Sequence, residues 1–463
     1  MNQLDYKLTL LWIVLIFTQK SLMAEAMPPN LVVIMADDLG YSDVGFNGCK
    51  DIKTPNIDKL AKSGVRFTNG YTTYSVCGPS RAGFITGRYQ GRFGFGRNPQ
   101  YQPKDPNMGL PQDEKTLASI LRPKGYHSGV IGKWHLGSNR DAHHPLNRGF
   151  DEFFGHLGGG HQYFPEKLTI KDSYSINSES ESYRTWIMRD HEPVKIDQYL
   201  SDEFSEEAVE FIGRNRSKPF FLFLSYNAPH APLQASEKYM KRYTQIKDKK
   251  RRTYAAMVSA IDDGVGLILE KLKKEEQDKN TLVFFLSDNG GPTRSNASQN
   301  RPLRGGKSDV WEGGYRVPFI ASWPSVISPD SDFDHPVNSL DIAATIVGLS
   351  GSKISEAKPL DGKNLIPFLK GDEKGAPHET IMIRKFDQKR FAIRKGDMKL
   401  VKPKKEEQPR LYDLSNDISE KNDISSDQPE LVKKMQVEFD AWAAKLKEPI
   451  FLGLIHRKKW KKK

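Results

Sequence analysis

The sequence has 463 residues, enough for one large hydrophobic core with a smaller domain attached. A hydrophobic fraction of 37% and an aromatic fraction of 10% exclude an intrinsically disordered chain. The formal net charge of +12 favours anionic partners, but no helix-turn-helix, zinc-finger or RNP pattern accompanies it, so we expect no nucleic-acid partner; an acidic polysaccharide fits the charge equally well.

Residues 1–26 predict a secretory signal peptide. Lys7 gives a positively charged start, an apolar run extends from Leu8 to Phe17, and Ala24-Glu25-Ala26 supplies small residues at a cleavage site. The apolar run is too short to span a bilayer comfortably, and no later segment is a better candidate. We therefore expect an exported protein, periplasmic or secreted, with no membrane span.

The first strand is predicted by the continuous apolar run from Leu31 to Met35, a pattern typical of a strand buried on both faces of an α/β sheet. This run ends at Asp37 and Asp38. Two adjacent carboxylates at the end of a buried strand repel one another, so they need a cation or hydrogen-bond donors. A helix cap or a solvated loop is the alternative.

Residues 77–88, CGPSRAGFITGR, predict a short helix with a nucleophile just before it. Pro79 suits the first helical position, and Gly87 suits the left-handed stop. Cys77 would then face the free amides and the positive dipole end of the helix, where developing negative charge is favoured. The alternatives are a small buried residue at a tight turn and a disulfide with Cys49, which an oxidising compartment permits.

The residues around Cys77 form a motif that resembles that of a known family. Cys77-x-Pro79-Ser80-Arg81, followed by Thr86-Gly87-Arg88, resembles the sulfatase signature. In that family the cysteine is oxidised after synthesis to Cα-formylglycine, by a formylglycine-generating enzyme or an anaerobic sulfatase-maturating enzyme. The resemblance therefore implies that Cys77 is modified and that Cys49 stays free.

A second segment carries the same resemblance. Residues 125–137 form a short predicted strand that runs into Lys133 and His135, as in the second sulfatase signature. Ser128 stands where a threonine is commoner in that family. This departure leaves the chemical residues unchanged.

Between His143 and Lys195 the sequence loses its periodicity, which is typical of a functional lid or a mobile insertion. In sulfatases such insertions shape the substrate pocket. The resemblance makes His161 and Tyr163 candidates for substrate binding, with a solvated loop as the alternative.

Two further strands end in polar residues. The apolar run at 220–224 predicts a buried strand that leads to His230, and the run at 281–286 leads to Asp288 and Asn289. Ligands of open α/β sheets sit beyond the carboxyl ends of the strands. We therefore expect these three residues to share one site with Asp37, Asp38, Lys133 and His135, which follow the two earlier strands.

The oxygen donors Asp37, Asp38, Asp288 and Asn289 suit a hard divalent cation, calcium or magnesium. The absence of cysteine and histidine among these four argues against zinc. The resemblance implies calcium as the usual ion, with the formylglycine at position 77 as a further ligand.

The resemblance also implies a mechanism. The formylglycine hydrates to a geminal diol, activated by the metal and Arg81, and one hydroxyl attacks sulfur. Lys133, Lys307 and His230 hold the sulfuryl oxygens, and His230 or Lys307 protonates the leaving alcohol. His135 then takes the proton from the second hydroxyl, which releases sulfate and regenerates the aldehyde.

The resemblance covers essentially the whole mature chain. It implies an alkaline-phosphatase-like α/β domain at 27–371, with a central, mostly parallel sheet flanked by helices. From about residue 372 the composition shifts, and residues 372–456 predict a small antiparallel sheet followed by an amphipathic helix at about 428–446. Residues 457–463 predict a solvated basic tail.

The substrate is predicted by resemblance alone. Segments 227–234 and 301–323 look most like secreted bacterial enzymes of the N-acetylgalactosamine-6-sulfatase-like group, so we expect a sulfated polysaccharide or oligosaccharide, such as carrageenan, ulvan or a glycosaminoglycan. Two alternatives stay open. One is a phosphatase or phosphonate monoester hydrolase of the same superfamily, and the other is an exported polyanion-binding protein without catalysis.

Overall fold

The computed structural model describes residues 27–168, 171–176 and 178–456. The predicted signal peptide at 1–26 and the predicted basic tail at 457–463 lie outside these residues. Across the described part of the chain, no helix combines the length and the apolar character that a membrane span requires.

The secondary structure alternates strands and helices until a run of four strands, β13 to β16, which a final α-helix follows. The strands are β1 (Asn30–Ala36), β2 (Val65–Phe67), β3 (Gly70–Tyr71), β4 (His127–Lys133), β5 (Glu152–His156), β6 (Ile187–Arg189), β7 (Glu192–Val194), β8 (Phe220–Ser225), β9 (Thr281–Ser287), β10 (Phe319–Ser322), β11 (Ser331–Phe333), β12 (Val337–Asn338), β13 (Thr380–Lys385), β14 (Arg390–Lys395), β15 (Met398–Lys402) and β16 (Arg410–Asp413). The α-helices are α1 (Pro55–Lys62), α2 (Cys77–Thr86), α3 (Leu117–Leu121), α4 (Arg140–His143), α5 (Glu179–Ser182), α6 (Leu200–Arg214), α7 (Glu237–Met240), α8 (Lys249–Lys274), α9 (Thr293–Asn296), α10 (Glu312–Tyr315), α11 (Leu340–Ser350), α12 (Ile366–Lys370) and α13 (Pro429–Ala443).

The large sheet has ten strands in the order β11-β2-β10-β9-β1-β8-β4-β5-β6-β7. Its central strands, from β9 to β5, all run parallel. β10 is antiparallel to both of its neighbours, and so is β6. The predicted α/β class is confirmed, and the parallel centre brings the carboxyl ends of β1, β4, β8 and β9 to one edge.

Helices cover both faces of this sheet. Leu31 and Val33 of β1 pack in one buried cluster with Phe84 of α2, while Val32 and Ile34 pack in the other with residues of α6 and α8. Because successive strand residues point to opposite faces, burial on both sides favours apolar residues at every position of β1 after Asn30. This explains the continuous apolar run in the sequence.

The prediction of an aperiodic insertion between His143 and Lys195 is wrong. β5 lies in this segment and pairs in parallel with β4, and β6 and β7 extend the sheet beyond it. The three strands have five, three and three residues, which is too short for a periodic pattern to stand out in the sequence.

The small domain is an antiparallel sheet in the order β13-β14-β15-β16, as predicted. One face packs under α13, through Met435 and Phe439. The other face packs against Tyr71, Val310 and Tyr315 of the large domain. The segment that follows Lys307 is therefore held between the two domains.

A buried ionic cluster joins the two domains. Lys399 of β15 lies 2.7 Å from Glu312 Oε1 and 2.7 Å from Glu420 Oε1, and all three side chains are fully buried. Glu420 Oε2 also accepts a hydrogen bond from the Glu312 backbone amide at 2.8 Å. These contacts fix the turn that contains Glu420 against the start of α10.

Candidate active site

The parallel ends of β1 and β9 bring carboxylates together beside the start of α2. Ligand atoms of Asp37, Asp38, Asp288 and Cys77 lie within 4.8 Å of one another, and all four side chains are buried. Asp288 follows β9 directly, and its backbone amide donates to Ala36 O at 3.0 Å. Burial and the neighbouring Asp37 raise the pKa of Asp288, because a further negative charge is unfavourable here.

Asn289 supplies the fourth oxygen donor of this cluster. Its Nδ2 donates to Asp38 Oδ1 at 2.7 Å, while its buried Oδ1 has no hydrogen-bond partner among the described residues. An orphaned amide oxygen beside crowded carboxylates is the donor set that calcium and magnesium prefer. The residues present therefore fit a hard divalent cation.

Cys77 is the first residue of α2, so the prediction that the helix begins at Pro79 is wrong by two positions. The predicted stop is correct, with Gly87 in the left-handed region at φ 67°. Cys77 Sγ lies 3.4 Å from Asp37 Oδ1 and 3.3 Å from Lys307 Nζ. Burial and the adjacent carboxylates raise the pKa of the Cys77 thiol, so the unmodified side chain is neutral at physiological pH.

The disulfide alternative does not hold in this structure, because both cysteines are free. Cys49 is half-buried elsewhere, with its Sγ 3.3 Å from Asp51 Oδ1.

Arg81 and Lys133 lie on the buried side of the cluster and offset the charge of its carboxylates. Arg81 Nε donates to Asp288 Oδ2 at 2.8 Å, and its Nη1 donates to Lys133 O at 3.2 Å and to Ser225 Oγ. Lys133 Nζ donates to Asp37 Oδ2 at 2.5 Å. Arg81 Nη2 is buried without a hydrogen-bond partner in the described part of the chain, so it has donor capacity left for an anion.

Lys307 and His230 lie on the more open side of the cluster. Lys307 Nζ lies 2.8 Å from Asp38 Oδ1, and His230 Nε2 lies 3.6 Å from Asp38 Oδ2. Their side chains are 18% and 15% exposed, compared with 4% for Asp38. Burial alone would lower the pKa of Lys307, but Asp38 and the other acidic groups raise it well above its usual value.

His135 is buried beside these cations. Its φ is 58°, in the left-handed region, and neither ring nitrogen has a hydrogen-bond partner among the described residues. Burial, Lys133 and Arg81 hold the pKa of His135 well below its usual value, so the ring is neutral. A Cβ at Gly159 would lie 2.7 Å from His135 Nε2, which explains the glycine at that position.

His161 and Tyr163 do not line the pocket as substrate contacts, which corrects the prediction for both. Tyr163 is fully buried, and its Oη lies 2.6 Å from Asn227 O and 2.8 Å from His230 O. The ring nitrogens of His161 lie 3.2 Å from Gln162 O and 3.2 Å from Thr185 Oγ1. Tyr163 therefore positions the segment that carries His230.

Three polar residues at strand ends were not predicted as site residues. Ser225 bonds Arg81 and also donates to Lys133 O at 2.7 Å. His156 ends β5 opposite Lys133, and both of its ring nitrogens are buried without a partner among the described residues. The amide of Asn227 is likewise unpartnered there. Their positions at or just after the ends of strands β5 and β8 are the sequence signal that could have identified them as site residues.

The predicted catalytic and metal residues thus form one connected cluster. It contains three carboxylates, Asp37, Asp38 and Asp288, and three basic side chains, Arg81, Lys133 and Lys307. These charges balance, so a bound divalent cation would leave an excess of two positive charges. Such a pocket favours an anionic ester.

The protein-family model for sulfatases matches residues 29–352 of this chain, which contain the whole cluster. The chain belongs to the sulfatase family. A second model, the C-terminal region of N-sulphoglucosamine sulphohydrolase, matches residues 306–445. As a sulfatase the protein is a sulfuric ester hydrolase, and its fold is alkaline-phosphatase-like.

Several sulfatases are similar to this one over most of their length. Arylsulfatase H from Homo sapiens is 35% identical over 424 residues, which cover 76% of this chain and 74% of that protein. N-acetylgalactosamine-6-sulfatase from Mus musculus is 36% identical over 374 residues, covering 76% and 68%. The crystal structure of Ps i-CgsB in complex with k-i-k-neocarrahexaose is 40% identical, with a TM-score of 0.87, and covers 94% of this chain and 97% of that chain.

Proposed function

We propose that this sulfatase removes sulfate from a sulfated polysaccharide or oligosaccharide. The observation that carries the proposal is the similarity to Ps i-CgsB, at 40% identity over nearly the whole chain, since that protein was crystallised with a neocarrahexaose. The net charge of +12 supports an anionic polymer as substrate. A carrageenan-type chain is therefore the first substrate to test, with ulvan and glycosaminoglycans next.

We propose two cofactors for the site. Formylglycine derived from Cys77 would supply a hydrated aldehyde, whose one hydroxyl is the nucleophile and whose other hydroxyl allows sulfate to leave by elimination. Calcium would supply positive charge beside that nucleophile, held by Asp37, Asp38, Asp288 and Asn289. The neutral Cys77 thiol supports the first part, because an unmodified thiol at this position is a weak nucleophile.

The basic side chains would bind the sulfate ester. Lys307 Nζ, 3.3 Å from Cys77 Sγ, can donate to an oxygen of a sulfuryl group held at residue 77. Arg81 can donate from its unpartnered Nη2. Lys133 lies deeper and offsets the charge of Asp37. These donors are fixed before the substrate arrives, so little reorganisation is required when charge develops.

Two histidines and a lysine would move protons. His230 Nδ1 lies 2.6 Å from Ala231 O, and because a carbonyl only accepts, Nδ1 carries a hydrogen. Burial and the Lys307 ammonium lower the pKa of His230 to about 3, so Nε2, the nitrogen on the pocket side, carries no proton in the resting site. The Lys307 ammonium would therefore hand the proton to the leaving alcohol, and His230 would do so only after taking up a proton at Nε2. The neutral ring of His135 would accept the proton that is lost when sulfate departs.

We also propose that the protein is exported and that a formylglycine-generating or anaerobic sulfatase-maturating enzyme acts on it. Residues 1–26 support export, because they combine a basic start, an apolar run and small residues at a cleavage site. The sequence Cys77-x-Pro79-x-Arg81 supports the maturation step.

The test is a sulfate-release screen. The protein is produced with a maturating enzyme and incubated with oligosaccharides of carrageenan, ulvan and glycosaminoglycans, with 4-nitrophenyl sulfate and with 4-nitrophenyl phosphate. We expect sulfate release from at least one glycan and none from the Cys77→Ala variant. Turnover of the aryl sulfate alone would overturn the glycan assignment, and faster turnover of the phosphate ester would favour the phosphatase alternative.

A further inference from the structure

An open groove of about 1050 Å³ is lined by three segments of the chain. One wall is the segment from Ser42 to Asp51, which follows the end of β1. The second wall is the loop that contains Gln299 and Arg304, and the third is the turn of the small domain at Ser419 and Lys421. Both domains therefore contribute to it.

The groove is positively charged. Its basic side chains are Lys50, Arg301, Arg304 and Lys421. Asp51 is the acidic side chain among the lining residues, and Arg251 neutralises it with a contact of 2.8 Å. The groove thus presents an excess of positive charge to an anion.

Part of this groove is built rigidly. The Arg304 guanidinium lies 3.8 Å from the centre of the Trp311 ring, and its Nη1 donates to Glu420 O at 2.6 Å. Ser419 Oγ donates to Pro302 O at 2.9 Å. The buried ion pair between Lys399 and Glu420 holds the same turn on its interior side. The turn and the loop therefore form one fixed surface.

Two of the basic side chains remain available on this surface. Arg301 and Lys421 are exposed, and neither side chain has a hydrogen-bond or ion-pair partner within the part of the chain that the structure describes. Exposed guanidinium and ammonium groups on a fixed wall suit the recognition of sulfate oxygens, with the guanidinium able to bind two of them.

The chain links the groove directly to the cluster of predicted catalytic and metal residues. Residues 290–306, which include α9 and the loop that lines the groove, connect Asn289 to Lys307, two residues of that cluster. Gln299 O joins the loop to the first wall by accepting a hydrogen bond from Ser42 N at 3.0 Å, and Asn300 Oδ1 accepts hydrogen bonds from Tyr41 N and Gly291 N, both at 3.1 Å. Arg304 precedes Lys307 by three residues, a stretch of chain that spans at most about 11 Å.

We propose that this groove binds a second sulfated sugar of the substrate chain while the sulfate to be removed lies at residue 77. The inference rests on the proposed function, and it narrows the substrate to oligosaccharides that carry sulfate on more than one sugar. The neutral side chains of Ser42, Asn47 and Gln299 in the same groove suit sugar hydroxyls. Specificity then depends on the small domain as well as on the catalytic domain.

The first test compares Arg301→Ala/Lys421→Ala with the parent enzyme. The substrates are a multiply sulfated carrageenan hexasaccharide and the small monosulfated 4-nitrophenyl sulfate. We expect the ratio of kcat/KM on the hexasaccharide to kcat/KM on the aryl sulfate to fall about tenfold, and its salt dependence to become shallower. The matched control is Lys433→Ala/Lys434→Ala, which removes two exposed lysines from α13 and should leave the ratio unchanged. An unchanged ratio in Arg301→Ala/Lys421→Ala would overturn the proposal.

The second test measures binding without turnover. In a Cys77→Ala background, the Kd of the same hexasaccharide is measured by calorimetry with and without the Arg301→Ala and Lys421→Ala changes. We expect binding to weaken at least about fivefold, and equal Kd values would overturn the groove assignment even if the parent enzyme releases no sulfate from this glycan. Absence of glycan turnover by the parent enzyme would instead count against the proposed function, so the two failures are distinguishable.

Discussion

Replacing Lys307 with methionine should reduce sulfate ester hydrolysis by two to three orders of magnitude. The Lys307 ammonium lies 3.3 Å from Cys77 Sγ and 2.8 Å from Asp38 Oδ1. A negative charge on a sulfuryl group at residue 77 would lie at about 4 Å, where attraction at an effective dielectric constant of about 20 amounts to about 4 kcal/mol. Since each 1.36 kcal/mol is a factor of ten, this sets an upper limit of about a thousandfold. The bound substrate shares part of the attraction, so we expect kcat/KM to fall about 100- to 1000-fold, with effects on both KM and kcat.

The assay is steady-state hydrolysis of 4-nitrophenyl sulfate, normalised to the formylglycine content measured by mass spectrometry. Lys307→Arg keeps the charge and should recover at least about tenfold of the loss. Lys405→Met, at an exposed position of the small domain, controls for the loss of a lysine. A decrease below tenfold for Lys307→Met, in protein with an unchanged melting temperature and full formylglycine, would refute the electrostatic reasoning.

Three further predictions concern the nucleophile, the metal and the domain contact. Cys77→Ala should abolish turnover and leave the chain folded, and mass spectrometry of the active parent should show an aldehyde at this position; active protein with only a thiol there contradicts the proposal. Asp288→Ala should lose activity and bound calcium together, as measured by elemental analysis, whereas full activity after exhaustive chelation speaks against a metal role. Lys399→Met leaves the buried Glu420 without its ion-pair partner, while Glu312 keeps Arg316 at 3.3 Å, and should destabilise the protein by about 3–5 kcal/mol, seen as a lower urea midpoint than in Lys405→Met; equal midpoints would mean that the contacts of Lys399 add no stability.

The parts of the fold that the sequence predicts well are those with a strong one-dimensional pattern. β1, β8 and β9 are buried on both faces, so each appears as an uninterrupted apolar run. β5 to β7 are short, and their pairing with β4 depends on contacts between distant parts of the chain. No local pattern carries that information.

The residues of the site likewise divide into those that a local sequence pattern predicts and those that only tertiary contacts identify. Cys77, Arg81, Lys133 and the acidic residues follow from sequence motifs and strand ends, and the structure brings them together. Ser225 was not recognised, since a serine after an apolar run has many ordinary explanations. The prediction of Tyr163 as a substrate contact rests on the resemblance of its segment to the insertions that shape sulfatase pockets, whereas tertiary packing buries the side chain completely.

The burial of helix α2 has a consequence for biosynthesis. Cys77 is 1% exposed, and every residue of the helix from Gly78 to Thr86 is buried as well. An enzyme that oxidises this cysteine needs the thiol in its own catalytic site, and the folded protein cannot present it without releasing the helix from the sheet and breaking the contacts of Arg81. The proposed oxidation therefore has to precede folding, while this stretch is still an open peptide. Under this proposal, chains that fold before Cys77 is oxidised would stay inactive, and the yield of active protein would depend on the relative rates of oxidation and folding.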